Sequence, residues 1–235
     1  MKNYQKKYYM VKFKMYISLI SIIINNYSIP RIFNFFINYL KIIKLLSRKF
    51  KKLDIKLYIN AGESFEKYLD YKYWILENLI RIYNLNIDRK QNLKILDIGT
   101  GFGYFPFICE FFGNQAEAID LDTNDMYNSV IKLLDIKRHS YCIQANKPLP
   151  LNTKFDIITG YMICFNNHKT DKLWGVIEWD YFLNSMKSNN LYNNGFIFFS
   201  FNLEFDEKPF SHDIKNLFMQ KKAIINNNEV TISFT

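Results

Sequence analysis

A hydrophobic run that ends in a glycine-rich turn constrains this chain more than any other feature. Residues 93–104 read LKILDIGTGFGY, so an apolar segment leads directly into three glycines at alternating positions. Glycines let the backbone approach a ligand closely and adopt torsions that a Cβ atom would penalise. A helix that begins near Tyr104 would point free N–H groups at the same place. The segment therefore predicts a strand, a ligand-binding turn and a helix in succession.

Short β-rich runs alternate with helical segments along the chain. The predicted strands are Leu93–Ile98, Gln115–Asp120, Ser140–Gln144, Phe155–Met162 and Gly195–Phe201. The predicted helices lie around 105–112, 124–134, 178–187 and 213–219, and a further helix runs from Ser64 to about Tyr83. A hairpin of Ala223–Ile225 and Val230–Phe234 follows them. This alternation is typical of βαβ units and predicts a parallel sheet.

Two carboxylates flank the predicted turn. Asp120 ends the second strand, about 20 residues beyond the glycines, where a carboxylate can accept hydrogen bonds from both hydroxyls of a ribose. Asp97 lies directly before the glycines, and an acid there suits an ammonium group better than a pyrophosphate. The G-x-G-x-G spacing also differs from the G-x-G-x-x-G of dinucleotide-binding enzymes. These features favour S-adenosylmethionine over NAD, and an NAD-dependent oxidoreductase is the less favoured enzyme class.

Three segments resemble the class I S-adenosylmethionine-dependent methyltransferase superfamily. They are 96–103 (LDIGTGFG), 118–122 (AIDLD) and 155–160 (FDIITG), and the resemblance covers roughly residues 61–235. It implies a mostly parallel seven-stranded Rossmann-like α/β sheet with helices on both faces and an antiparallel C-terminal strand. It also implies methyl transfer by in-line displacement, with S-adenosyl-L-methionine as the cofactor.

The resemblance assigns roles to individual residues. Asp97, Gly99 and Gly101 would hold the methionine part of the cofactor. Asp120 would bind the ribose and Leu121 would flank the adenine. The full predicted cofactor-binding set is Asp97, Gly99, Thr100, Gly101, Gly103, Asp120, Leu121, Gln144 and Gly160.

The adenine contact after the third strand departs from the pattern of the superfamily. Many members carry an Asp there, whereas this chain offers Gln144 followed by Ala145. An amide side chain can still hydrogen-bond to the base. Two alternatives to a working site stay open, namely a glycine turn that serves only packing and a cofactor site without catalysis.

The loop after the fourth strand is expected to border the transferred methyl group, because ligands bind at the carboxyl ends of parallel strands. His168 is the candidate general base, since its unperturbed pKa lies near neutrality and a hydroxyl acceptor must lose its proton. A structural or merely exposed histidine is the more common case. Asn166, Asn167 and Trp179 are the candidate substrate contacts, although core packing is the commoner role of a tryptophan.

Methylation of nucleic acid has less support. The fourth strand lacks the Asn/Asp-Pro-Pro-Tyr/Phe motif of many amino-group methyltransferases, and the chain has no Pro-Cys pair like that of cytosine C5 enzymes. The predicted acceptor is therefore a small molecule or a glycolipid-type molecule. The alternative function is a non-catalytic, membrane-associated protein that binds S-adenosylmethionine and supports a partner.

Residues 1–60 form a basic segment, with 13 Lys or Arg against the single acid Asp54, whereas residues 61–235 hold 18 basic and 21 acidic residues. From Pro30 to about Lys52 polar positions recur every three or four residues, which predicts an amphipathic helix. This helix would cover the catalytic domain or a partner subunit, or lie on an anionic membrane surface, and the two roles are compatible. The apolar stretch Met15–Ile29 is shorter than the roughly 20 residues that a membrane span needs.

The predicted organisation is a basic, amphipathic helical extension at 1–60 and an S-adenosylmethionine-binding domain at 61–235. Cys109, Cys142 and Cys164 are odd in number and widely spaced, so neither a disulfide framework nor a metal site is predicted. A reducing cytoplasm fits this pattern best. Peripheral association with a membrane through residues 1–60 is a further expectation.

Overall fold

The computed structural model describes residues 14, 16–53, 66–163, 165 and 173–234. The chain divides into two compact units, which span residues 1–89 and 90–235. The described part of the first unit is helical, and that of the second is a sheet with helices. The domain boundary between residues 60 and 61 stays a prediction.

Three α-helices dominate the described part of the first unit. They are α1 at residues 16–26, α2 at Ile29–Phe50 and α3 at Tyr71–Asn84. Short 3₁₀ helices at Glu66–Leu69 and Ile87–Arg89 flank α3. The predicted amphipathic helix is confirmed as α2, which carries Pro30 in its first turn, where the missing N–H of proline costs nothing. No helix among the described residues is long and apolar enough to cross a membrane.

The start of α3 differs from the prediction. Ser64, the predicted cap, lies outside the described residues, and the helix begins at Tyr71 after a 3₁₀ turn. Tyr68 belongs to that turn, and its ring packs 4.6 Å from the ring of Trp74, centroid to centroid. The apolar residues on both sides of Asp70 follow the spacing of a single helix. Hydrophobic periodicity does not show the break in the backbone between the 3₁₀ turn and α3.

Helix α2 buries one face against α3. The rings of Phe35 and Tyr83 are both buried, with their centroids 4.9 Å apart. Arg31 donates hydrogen bonds to the carbonyl oxygen of Tyr83 at 2.7 Å and to the carboxylate of Asp88 at 3.0 Å. Burial raises the pKa of Asp88 above its ordinary value, although the guanidinium of Arg31 lowers it in part. One arginine therefore stabilises both a helix end and a partly buried carboxylate.

A seven-stranded sheet forms the centre of the second unit. Its strands are β1 Lys94–Ile98, β2 Gln115–Asp120, β3 Lys137–Ser140, β4 Phe155–Ile163, β5 Leu191–Phe201, β6 Ile224–Asn226 and β7 Glu229–Ser233. Their spatial order is β3-β2-β1-β4-β5-β7-β6. The first five strands pair in parallel, and β7 runs antiparallel to both β5 and β6. The predicted fold class, with its antiparallel C-terminal strand, is confirmed.

Helices pack on both faces of this sheet. They are α4 Tyr104–Phe111, α5 Asp125–Leu134, α6 Val176–Asn189 and α7 His212–Gln220. On one face, Phe105 of α4 lies 5.2 Å from the ring of Tyr161 on β4. On the other face, Trp179 of α6 and Phe218 of α7 join a buried cluster with Phe199 of β5. Side chains on both faces of the sheet therefore pack against helices.

The prediction for the third strand was wrong. Strand β3 lies at Lys137–Ser140 instead of residues 140–144. It is an edge strand, paired only with β2, and Lys137 and His139 bond the carboxylate of Glu117 at 2.6 and 2.7 Å. The apolar residues that suggested the later position, Tyr141 and Ile143, pack against the core from the following loop. The position of β3 therefore follows from its polar pairing with β2 and not from the apolar run.

The strand order reverses at β1. The chain moves outward from β1 to β2 and β3, and then returns to β4 on the other side of β1. The carboxyl ends of β1, β2 and β4 consequently meet at a switch point, where open α/β sheets leave a crevice for ligands. The glycine turn lies at this point.

Gly103 joins the turn to the surrounding helices. Its φ is +75°, and a Cβ atom at this position would lie 2.7 Å from Cδ1 of Ile131 and 3.2 Å from Cγ1 of Ile136. We expect Gly103→Ala to lower the free energy of unfolding by about 2–4 kcal/mol, from left-handed strain plus overpacking. Gly113 is the matched control, because its φ is +82° while a Cβ atom there would meet only Gln91, at 3.8 Å.

Urea denaturation followed by circular dichroism measures both variants. Gly113→Ala should lose about 1 kcal/mol from the torsion alone. Equal losses in the two variants would show that the contacts with Ile131 and Ile136 contribute nothing.

In the first unit, we expect Arg31→Met to lower the free energy of unfolding by about 3 kcal/mol, because Asp88 would keep a partly buried charge without its partner. Lys41→Met is the control, since Lys41 is exposed on the same helix and should change stability by about 0.5 kcal/mol or less. The same denaturation measurement applies, and a loss in Lys41→Met as large as that in Arg31→Met would contradict the assigned role of the ion pair.

Candidate cofactor site at the glycine turn

The backbone of the turn requires its glycines. Gly99, Gly101 and Gly103 have φ angles of +69°, +57° and +75°, in the region that L-amino acids with side chains rarely adopt. The N–H of Gly99 donates to the carbonyl oxygen of Ile119 at 2.9 Å, and the N–H of Gly103 donates to that of Thr100 at 3.0 Å. The predicted torsional need for glycine in this turn is confirmed.

The first two glycines differ from the third in the space around them. A Cβ atom on Gly99 would lie 3.7 Å from Cγ2 of Ile163, and one on Gly101 would lie 3.8 Å from the ring of Tyr127. These are ordinary contacts, so neither glycine is required by close packing. Gly103, by contrast, is closely packed. The backbone at Gly99 and Gly101 is therefore the part of the turn that a ligand can approach.

Asp120 links the end of β2 to the turn. One carboxylate oxygen accepts the N–H of Gly101 at 2.7 Å, and the other accepts the N–H of Leu121 at 2.8 Å. Burial raises the pKa of this carboxyl, while the two N–H groups and the nearby charge of Arg138 oppose the rise. Each oxygen has further acceptor capacity. The carboxylate can thus hold the turn and accept hydroxyl donors at the same time.

Asp97 has a partner that the sequence analysis missed. The hydroxyl of Thr159 on β4 donates to a carboxylate oxygen of Asp97 at 2.8 Å, and Asp97 is only 3% exposed. The two residues are paired in register across β1 and β4. Burial raises the pKa of the neighbouring Cys109 thiol, and the charge of Asp97 raises it further. Asp97 is therefore anchored within the sheet, and its contact with the methionine part stays a prediction.

Thr100 presents a hydroxyl in the middle of the turn. Its Oγ1 atom is buried and has no hydrogen-bond partner in the described part of the chain. Buried hydroxyls in folded proteins nearly always have a partner. A ligand seated at the turn can supply one, so this atom fits the predicted cofactor-binding role of Thr100.

The remaining predicted cofactor contacts occupy different surroundings. Leu121 is exposed directly after β2, where its side chain can lie against a flat ring. Gln144 is exposed in a loop four residues beyond the end of β3. Gly160 lies inside β4, and a Cβ atom there would lie 3.0 Å from both Ile163 and Phe199. Packing alone accounts for this last glycine, and the cofactor contacts of all three residues stay predictions.

The predicted acceptor contacts are described only in part. His168, Asn166 and Asn167 lie outside the described residues. Trp179 is buried on α6, where its ring lies 5.1 Å from that of Phe165 and 5.8 Å from that of Trp174. These rings border a cavity at the carboxyl ends of β4 and β5. Within the described ranges, no three His, Cys, Asp or Glu side chains are grouped so that they could hold a metal ion.

Solved structures to which the chain is similar include methyltransferases. One is a SAM-dependent methyltransferase from Aquifex aeolicus, at 12% identity and a TM-score of 0.47, over 66% of this chain and 89% of that one. Another is the ribosomal protein L11 methylase from Lactobacillus delbrueckii subsp. bulgaricus, at 17% identity and a TM-score of 0.42, over 66% and 77% of the two chains.

A third similar structure is a 16S rRNA methyltransferase from T. Thermophilus in complex with AdoMet and guanosine. It is 16% identical, with a TM-score of 0.44, over 75% of this chain and 45% of that one. No family model matches the sequence, and no curated protein matches it. The names of these proteins give acceptors of different kinds, a ribosomal protein and an RNA among them. They do not determine the acceptor of this chain.

Proposed function

We propose that this chain is an S-adenosylmethionine-dependent methyltransferase that acts on a small-molecule or glycolipid-type acceptor by in-line displacement. The observation that carries the proposal is the arrangement at the switch point of the sheet. Asp120 is hydrogen-bonded to the N–H of Gly101, beside a backbone that a ligand can approach at Gly99. The buried hydroxyl of Thr100 adds an unused polar group at the same turn.

Each residue near the turn binds a different part of the cofactor in this proposal. The carboxylate of Asp120 accepts the ribose hydroxyls, and the exposed side chain of Leu121 flanks the adenine. Gly99 and Gly101 give backbone access to the methionine part, and Thr100 offers a hydroxyl to it. Bound there, S-adenosylmethionine supplies a methyl group attached to a good leaving group.

Positioning accounts for most of the catalysis in this proposal. Holding two reactants in a productive geometry can supply about 7–11 kcal/mol of the barrier. A general base adds about 10² to 10⁴ in rate, or roughly 3–5 kcal/mol. His168 is the candidate for that base, with Asn166, Asn167 and Trp179 as candidate acceptor contacts. A cofactor site can therefore support methyl transfer even where the sequence shows no conspicuous general base.

The same geometry argues against a dinucleotide. Pyrophosphate is bound by free N–H groups at a glycine turn and helix start. Here the N–H of Gly101 already donates to the carboxylate of Asp120. A second carboxylate, Asp97, lies two residues before Gly99 and would repel the charges of a pyrophosphate at the turn.

Calorimetric titration of the full chain with S-adenosylmethionine and, separately, with NAD tests the proposal. We expect saturable binding of the first only. Asp120→Ala should weaken it about tenfold or more, because hydrogen bonds to a charged group are worth about 1.5–3 kcal/mol. Asp122→Ala is the matched control, since Asp122 is exposed two residues further on and should bind like the wild type.

Other outcomes would replace the proposal. Absence of S-adenosylmethionine binding in folded protein, checked by circular dichroism, would overturn it. Binding of NAD instead would favour an oxidoreductase. Cofactor binding without methyl transfer to any acceptor in a broad screen would favour the non-catalytic, membrane-associated alternative.

A second observation supports an anionic membrane surface as a partner of the first unit. The face of α2 that does not pack on α3 exposes Ile29, Phe33 and Leu40, at 84%, 67% and 65%. Lys41, Lys44 and Arg48 are exposed next to this apolar strip, and α2 contains no acidic residue. An apolar strip beside basic residues is typical of helices that lie in the interface of anionic membranes.

Sedimentation with vesicles of phosphatidylserine and phosphatidylcholine tests this surface. We expect the double variant Phe33→Ser, Leu40→Ser to bind about tenfold more weakly, because it loses two apolar side chains from the interface. Ile177→Ser is the control, since Ile177 is also exposed but lies on α6 of the second unit. Unchanged binding of the double variant, or equal binding of the wild type to pure phosphatidylcholine, would contradict the membrane role.

A further inference from the structure

The second unit contains a cavity of about 230 Å³ at the carboxyl ends of β4 and β5. Five aromatic side chains contribute to its wall, and we call it the aromatic cavity: Phe165, Trp174, Trp179, Phe201 and Phe210. The cavity is partly open, so a ligand can enter it from solvent.

The rings of the wall support one another. Phe165 stacks on Trp174 with ring centroids 3.9 Å apart and an angle of 15° between the planes. Phe201 meets Phe210 edge-to-face at 5.3 Å. Such contacts fix the orientation of each ring. The wall is thus formed before any ligand enters.

One side chain connects the aromatic cavity to the glycine turn. Ile163 is the last residue of β4, and it lines the cavity. Its Cγ2 atom also lies 3.7 Å from the position that a Cβ atom of Gly99 would take. An occupant of the cavity would therefore lie one side chain away from the proposed cofactor site.

Polar side chains also line the aromatic cavity. Glu204, Asp206 and Lys208 line it from the loop between β5 and α7. Lys208 forms an ion pair with Asp206 at 3.3 Å, and the N–H of Glu204 donates to the carbonyl oxygen of Lys208 at 2.8 Å. An occupant with an apolar body and one polar group matches this mixed lining.

We propose that the aromatic cavity binds the methyl acceptor through an apolar, aromatic group of one or two rings, an inference that rests on the proposed methyltransferase function. An apolar cavity of about 150 Å³ is sufficient for benzene, so about 230 Å³ accommodates a ring system near the size of indole. A sugar fits less well, because hydroxyl groups pressed against Phe165 or Phe201 would lack hydrogen-bond partners.

Calorimetric titration of the full chain with indole, and in parallel with methyl glucoside, tests the proposal. We expect saturable binding of indole alone. Phe210→Ala should weaken it about fivefold to tenfold through the loss of one ring of the wall. Phe205→Ala is the matched control, because Phe205 lies in the same loop, is 76% exposed and does not line the cavity.

Phe210→Leu guards against misfolding of the alanine variant, since it keeps most of the apolar volume and removes only the ring. It should also bind indole more weakly than Phe205→Ala. No saturable binding of indole, equal binding by the Phe210 and Phe205 variants, or preference for methyl glucoside would overturn the proposal. A wild-type protein that binds indole but not S-adenosylmethionine would show that the proposed function fails while the cavity still binds a ring. That outcome would overturn the assignment of the occupant as a methyl acceptor.

Discussion

The hydrogen bond from the N–H of Gly101 to the carboxylate of Asp120 holds the candidate site together. It joins the end of β2 to the turn that follows β1, and so ties two neighbouring strand ends to one another. The turn can reach this position only because its glycines adopt positive φ angles. Helix α4 then begins at Tyr104, directly after the last glycine of the turn.

Other contacts in the second unit stabilise the strand ends and the turn that this hydrogen bond connects. The hydrogen bond from Thr159 to Asp97 connects β4 to β1 two residues before Gly99. Gly103 allows Ile131 and Ile136 to pack against the turn from the α5 side. The open backbone at Gly99 and Gly101 is therefore surrounded by closely packed structure, which is the arrangement expected of a preorganised binding site.

The two proposed sites of the second unit share Ile163, the residue at which β4 ends. One side of this residue lies against Gly99, and it also lines the aromatic cavity. In-line transfer requires the two reactants to be held next to each other. The shared wall gives the cofactor and acceptor proposals a common geometric basis, although each stands on its own observations.

Sequence patterns predicted the elements that belong to the buried sheet. Strands β1 and β2 and helices α4 and α5 were placed within one residue, because apolar periodicity determines them locally. Strand β3 was misplaced, since an edge strand that pairs through Lys137, His139 and Glu117 has no apolar signature. The partner of Asp97 was also missed, because Thr159 is 62 residues away in the chain.

By itself, the sequence determined the glycine turn, the position of Asp120 after β2, the alternation of strands and helices, and the basic amphipathic character of α2. These properties depend on residues close together in the chain, where torsional needs and periodicity apply. Only the tertiary structure decided which glycines are open and which are packed, and which tryptophans border a cavity. Those properties arise from side chains that meet across strands and helices, and no local pattern encodes such distances.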